Sequence, residues 1–177
     1  VIFDLETYRI EPIQGKDAWK ICDFVTINTD RLNRFFPNTL KQNLTPTLSE
    51  IFVDHKLKQF VRKEEFLFTL KDVEKRTIIG LIYIKELNWP SKKGELAYCI
   101  GYQYEGKGWM TKSVATISNY AFTQLNLTKL QIIVHHSNIA SVRVAQKCGY
   151  IWKRTLPKKF APPNEVPLDM ELYELIT

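Results

Sequence analysis

Between Gln103 and Thr111 the chain reads Gln-Tyr-Glu-Gly106-Lys-Gly108-Trp-Met-Thr. Two glycines with one residue between them let the backbone take left-handed turns and come close to a ligand. A helix opening directly after them offers unpaired N–H groups and the positive end of its dipole. Lys107 and Lys112 add positive charge. The chemistry this suits is the holding of an anion of diphosphate size; the plain alternative is a strand-to-helix turn. Two common phosphate loops do not fit, since a dinucleotide fingerprint needs a third glycine and a P-loop needs a Gly-Lys-Ser/Thr ending. A different phosphate ligand is implied.

Downstream, Asn138-Ile-Ala-Ser141 opens a segment that closes with Lys147-Cys148-Gly149-Tyr150. Asn138 suits a helix N-cap and Gly149 a helix terminator, so each alone has an ordinary structural meaning. Tyr150 reads equally as a core aromatic. Glu95 opens a strand-like run and is either a base or a solvated strand end. His135 and His136 are adjacent, and in a strand neighbouring side chains point to opposite faces, so the pair does not suit one ion and no metal is assigned. Cys99 has no histidine paired with it in the sequence and reads as a buried, inert thiol.

The two clusters, in this order, resemble the signatures of the GNAT superfamily of N-acetyltransferases. Its cofactor loop runs Gln/Arg-x-x-Gly-x-Gly/Ala, filled here by Gln103, Gly106 and Gly108. Its second signature, Asn-x-x-Ser followed by Lys/Leu-x-Gly-Phe/Tyr, is filled by Asn138, Ser141, Lys147, Gly149 and Tyr150. The Gly-Lys-Gly-aromatic form ending in Trp109 is similar to the RimJ/RimL-like branch, which acetylates protein N-terminal amines. Glu-Leu-Ala-Tyr from Glu95 to Tyr98 is similar to that branch's Glu-Ile/Leu-Gly-Tyr.

The resemblance implies an α/β chain with the GNAT fold, a mixed central sheet with a splayed strand pair, flanked by helices. It implies acetyl-CoA as cosubstrate, held by Gln103, Gly106, Lys107, Gly108, Trp109, Met110, Thr111, Asn138 and Ser141. For catalysis it implies Ser141 as proton donor to the departing thiolate, with Tyr150 as its rival, and a backbone N–H near Tyr98 to Ile100 polarising the carbonyl. Glu95 is the carboxylate placed to be the base, a role a water chain fills as well. The acetyl group passes directly to the amine in a ternary complex.

Local patterns supply the elements that must position these residues. Thr7 to Pro12 alternates like a strand, and Asp17 suits the cap of a helix whose buried face carries Trp19, Ile21, Cys22 and Val25. An irregular stretch from Asp30 to Pro46 follows. Thr47-Leu-Ser-Glu50 has capping-box spacing and predicts a helix to about Lys63, with Leu48, Ile51, Phe52, Leu57, Phe60 and Val61 at helical intervals. Glu65 to Leu70, Thr77 to Leu87 and Glu95 to Gln103 read as central strands. Helices are predicted over Met110 to Leu125 and Ala140 to Lys147, and strands over Lys129 to His135, Tyr150 to Leu156 and Leu168 to Leu175.

A chain of 177 residues with 45% hydrophobic and 25% charged residues has the composition of one ordinary globular unit, and a single domain over 1–177 is expected. Its three cysteines, an odd number without a C-x-x-C pair, read as reduced thiols. Charges interrupt every apolar run, which excludes a membrane helix, and the opening Val1-Ile2-Phe3-Asp4 has no basic region before an apolar one. A cytoplasmic location is expected.

A net charge of +6 favours anionic ligands, but no stripe of aromatic and basic residues marks a nucleic-acid binder. Lys153, Arg154, Lys158 and Lys159 read as a solvated face or a patch for an acidic partner. Three readings compete: transfer to a protein N-terminus, transfer to a small amine such as a polyamine, amino acid or aminoglycoside, and a non-catalytic acyl-CoA-binding module. The acceptor pocket is expected to be shaped by Phe35, Phe36 and the stretch to Pro46. The last strand is expected at a sheet edge, where it permits a homodimer.

Overall fold

The computed structural model describes all residues, Val1–Thr177. Eight strands form one mixed sheet: β1 Phe3–Asp4, β2 Tyr8–Pro12, β3 Phe66–Asp72, β4 Ile78–Asn88, β5 Lys93–Ile100, β6 Lys129–Val134, β7 Ile151–Phe160 and β8 Leu168–Ile176. Their order is β1-β2-β3-β4-β5-β6-β8-β7. The helices are α1 Ala18–Ile27, α2 Thr29–Phe35, α3 Pro37–Lys41, α4 Pro46–Val61, α5 Trp109–Thr123 and α6 Ile139–Lys147, with short 3₁₀ turns at Gly15–Asp17 and Tyr102–Tyr104. No helix is long and apolar enough to cross a membrane. The chain divides into two compact units, one of Val1–Tyr83 with Cys99–Tyr104 and one of Ile84–Tyr98 with Glu105–Thr177.

In the first unit β2 pairs antiparallel with β1 and β3. β3 is buried from Phe66 to Lys71, as a strand covered on both faces must be. Ala18, Ile21, Cys22, Phe24 and Val25 form the buried stripe of α1. Trp19, expected on that face, is 58% exposed, because adding Phe24 rotates the centre of the stripe away from it. Asp17 occupies the cap position of α1 without capping it through its side chain. Its carboxylate instead accepts from Gln14 N at 2.8 Å and pairs with Lys71 Nζ at 2.7 Å. Lys71 also meets Glu11 at 2.9 Å, so one buried cation ties β2, β3 and the start of α1 together.

The segment expected to be irregular folds into α2 and α3. Each is too short to show a period, but Pro37 sits in the first turn of α3, where its missing N–H costs nothing. α4 starts earlier than expected: Pro46 is in its first turn and Thr45, not Thr47, caps it, accepting from Leu48 N at 3.2 Å. Its buried side is Ser49, Phe52 and Val53, while Leu48, Ile51 and Val61 are exposed. Polar side chains complete the packing here. Asn43 donates to Thr39 O, Ser49 Oγ donates to Asn43 Oδ1, and the Thr39 hydroxyl meets that of Tyr83, each at 2.8 Å.

In the second unit β5 and β6 run parallel, paired from Lys93↔Lys129 to Glu95↔Gln131. Both strands run on past that point, β5 to Ile100 and β6 to Val134, which is the parting expected of a splayed pair. β8 lies between β6 and β7, antiparallel to both. The final strand is therefore internal, and the edge belongs to β7. That edge carries Pro157, several lysines and two register shifts, features that discourage further strand pairing. The apolar face of α5, with Met110, Val114, Ile117 and Ala121, is buried, whereas α6 buries only Ala145.

Lys71 is the cation paired with Asp17 and shares Glu11 with Arg9, so Lys71→Met leaves the buried Asp17 carboxylate without a cation and weakens the support of Glu11. Chemical denaturation is expected to show a loss of about 3–5 kcal/mol, and a loss below about 1 kcal/mol would mean that the cluster is not needed.

Candidate functional site

The strand expected to reach Gln103 ends at Ile100, and Gln103 sits exposed in the turn Tyr102–Tyr104. In the second unit the chain then passes through Gly106 at φ +75° and Gly108 at φ +78°. These left-handed values are the reason for glycine here: a Cβ at either position meets nothing within 4 Å, so crowding within the chain is not. Gly108 is the N-cap of α5 and has no side chain to cap it. The first turn, with the N–H groups of Met110 and Thr111, is thus not closed by an N-cap side chain. The Lys107 ammonium lies 5.3 Å from the Trp109 ring centroid. Met110 turns its side chain into the core, which leaves its backbone N–H as the part that can meet a ligand.

The turn after β6 leads into α6. Asn138 caps that helix, its side chain accepting from Ser141 N at 3.4 Å, while its own N–H donates to His135 O at 2.9 Å. His135 and His136 were expected on opposite faces of a strand. β6 stops at Val134, so the alternation no longer governs them, and their rings stand 4.3 Å apart. His135 Nδ1 meets Ser137 Oγ at 2.6 Å. No cluster of three or more His, Cys, Asp or Glu side chains that could hold a metal ion gathers around them.

Ser141 is half-buried in the first turn of α6, and its carbonyl accepts a hydrogen bond from the Tyr98 hydroxyl at 2.8 Å. Tyr150 is only 3% exposed, with its hydroxyl 2.7 Å from Ser118 Oγ. Burial raises its pKa far above the ordinary phenol value. At the other end of α6, Cys148 Sγ donates to Thr111 O at 3.2 Å. Tyr98, Ser118 and the Cys148–Thr111 contact carry no local sequence signal; Tyr98 stood out only as part of Glu-Leu-Ala-Tyr.

Glu95 is not a solvated strand end. It is 9% exposed and hydrogen-bonds the side chain of Gln131, its register partner. Burial raises its pKa, with Lys85 opposing. Side chains alternate across a strand, so Glu95 and Tyr98 leave β5 from opposite faces. Because Tyr98 reaches Ser141, the carboxylate of Glu95 and the helix bearing Ser141 lie on opposite sides of that strand. In the first unit, Cys99 is buried and its thiol is pushed up to about 12, which suppresses the thiolate a nucleophile needs.

A mixed sheet thus parts between two parallel strands, with a glycine turn opening one helix and an asparagine-capped helix after the next strand. Residues 8–151 match the acetyltransferase (GNAT) domain, and the chain belongs to that family. Its relatives include the spermidine N(1)-acetyltransferase of Vibrio cholerae, 29% identical over 93 residues, which are 52% of this chain and 53% of that protein. The chain thus spans about half the length of that relative. Among solved structures, the ribosomal-protein-S5-alanine acetyltransferase of Vibrio fischeri superposes with a TM-score of 0.93 at 22% identity, covering 99% of this chain and 96% of that one. RimL, a ribosomal L7/L12 alpha-N-protein acetyltransferase in complex with coenzyme A, superposes with a TM-score of 0.89 at 13% identity, covering 99% and 98%. At these identities the two structures show a common fold.

The raised pKa of Glu95 has a consequence for stability. The folded chain holds that proton to higher pH than the unfolded chain does, so the contribution is full below the unfolded value and is lost as pH rises through the folded one. Ionised Glu95 is therefore a cost near neutrality. Glu95→Gln is expected to raise Tm at neutral pH and to change it little at pH about 4; thermal melts at both values check this, and an equal change at both contradicts it.

Proposed function

We propose that this chain is an acetyl-CoA-dependent N-acetyltransferase whose acceptor is a primary amine, foremost a protein N-terminal amine. The observation that carries the reading is the start of α5. Two left-handed glycines open onto free space beside an uncapped helix N-terminus, and this combination suits the pyrophosphate of acetyl-CoA. Family membership supports the same cosubstrate. In this reading the chain acts as one acetyltransferase domain in the cytoplasm.

When bound, acetyl-CoA supplies an activated thioester. The N–H groups of Gly108, Trp109, Met110 and Thr111 would hold its phosphates, with Gly106 and Lys107 beside them and Asn138 and Ser141 along its arm. A backbone N–H near Tyr98 on the parting strand would polarise the carbonyl. Glu95, with a raised pKa, accepts a proton from the ammonium of the acceptor more readily than an ordinary carboxylate would, directly or through water. Ser141 is half-buried and donates to the thiolate. Tyr150, whose hydroxyl is engaged with Ser118, is the weaker candidate for that step. With Cys99 held as a thiol, transfer is direct.

The Gly-Lys-Gly-Trp loop supports an N-terminal acceptor, and both fold neighbours are by name enzymes acting on ribosomal proteins. The identity to spermidine N(1)-acetyltransferase favours a second reading, in which the acceptor is a polyamine.

Mass spectrometry of a panel of N-terminal peptides, polyamines and aminoglycosides incubated with acetyl-CoA separates these readings. Acetylated peptide N-termini are expected. Acetylated polyamines alone would move the acceptor to the second reading, and no product despite acetyl-CoA binding would overturn both. Gly108→Trp places a large side chain in the open space at a left-handed position and is expected to abolish acetyl-CoA binding in calorimetry. Wild-type affinity in this variant would place the cofactor elsewhere.

A further inference from the structure

α6 has nine residues and fully buries only Ala145, with Val142 and Val144 partly buried, so apolar burial alone fixes its place weakly. Asn138 caps it from within, and Cys148 holds its far end through Thr111 O. Its first turn is tied to the sheet by the 2.8 Å bond from the Tyr98 hydroxyl to the Ser141 carbonyl. Tyr98 is 7% exposed. Burial lifts its pKa far above the ordinary phenol value, so it is a hydrogen-bond donor at neutral pH. A carbonyl has two lone pairs and can take the phenol alongside its helical partner. The bond therefore fixes the height of the first turn of α6 above β5 and, with it, the origin of the Ser141 side chain.

We propose that Tyr98 is a positioning residue, which sets the place of the Ser141 hydroxyl by holding the Ser141 carbonyl against β5. The proposal rests on the reading of Ser141 as donor to the thiolate. Tyr98 takes no proton and touches no reacting atom; its effect passes through the backbone of the donor. Such a residue is expected to lower turnover more than cofactor affinity, because the phosphates are held at Gly106 and Gly108, outside this bond, and only the contacts of Asn138 and Ser141 along the arm move with it.

The test is a double-mutant cycle on Tyr98→Phe and Ser141→Ala, with kcat and KM measured on an accepted amine and acetyl-CoA affinity measured by calorimetry. Tyr98→Phe removes only the hydroxyl. It is expected to lower kcat by about tenfold and to keep acetyl-CoA affinity within about twofold. In the Ser141→Ala background the same change is expected to add nothing. Losses that multiply in the double variant would show that Tyr98 acts elsewhere and would overturn the proposal. So would normal kcat in Tyr98→Phe while Ser141→Ala is slow, although the reading of Ser141 would then stand. Normal turnover in Ser141→Ala would remove the donor itself, and the proposal with it. If Tyr98→Phe does not fold, Tyr98→Met, a flexible side chain without a hydroxyl, takes its place in the cycle.

Discussion

The placement of α6 is the constraint on which the candidate site depends. That helix fully buries a single alanine, with Val142 and Val144 partly buried beside it, and hydrogen bonds add to what locates it. Tyr98 holds its first turn, Cys148 bonds back to the start of α5, and Tyr150, just beyond its end, meets Ser118 in the middle of α5. Thr111, which receives the thiol, belongs to the turn expected to hold phosphate. The same small set of contacts thus relates the candidate thiolate donor, on α6, to the anion-binding end of α5.

The opening of the sheet follows from the strands that carry these contacts. β5 and β6 pair over three residues and then part. β5 uses its side chains in two ways: Glu95, the last paired residue, leaves by one face, and Tyr98, beyond the parting, turns to α6 from the other. In the proposed mechanism the candidate proton acceptor Glu95 and the helix that bears the candidate donor Ser141 thus lie on opposite sides of one strand. Amine acetylation asks for this separation, because the proton leaves the nucleophile on one side of the carbonyl and enters the leaving group on the other.

Much of this was legible in the sequence where local chemistry decides the outcome. Gly106 and Gly108 announced left-handed backbone because few other residues adopt it, and Asn138 announced a helix cap. Alternation and period located most strands and the two long helices of the later half. What was not legible depends on tertiary context. Trp19 is exposed because Phe24 shifts the buried stripe of α1, which the pattern of apolar residues alone does not weigh. Asp17 looked like a cap, and its carboxylate went to Lys71, 54 residues on in sequence. The two histidines were read through strand alternation that stops one residue too early to apply. Glu95 was judged by its place at a strand start, but burial is set by neighbours such as Gln131. The Tyr98 bond joins a strand to a helix 43 residues away, beyond the reach of any local rule.

Direct transfer from acetyl-CoA to an amine, as proposed, leaves no acetylated enzyme on the way. Intact-mass spectrometry on enzyme mixed with stoichiometric acetyl-CoA, before and after adding an accepted amine, tests it most directly. The account predicts an unchanged enzyme mass throughout and an acetyl group that appears only on the added amine. An acetyl group on Cys99 or Cys148 that forms before the amine is added and is lost to it afterwards would contradict it.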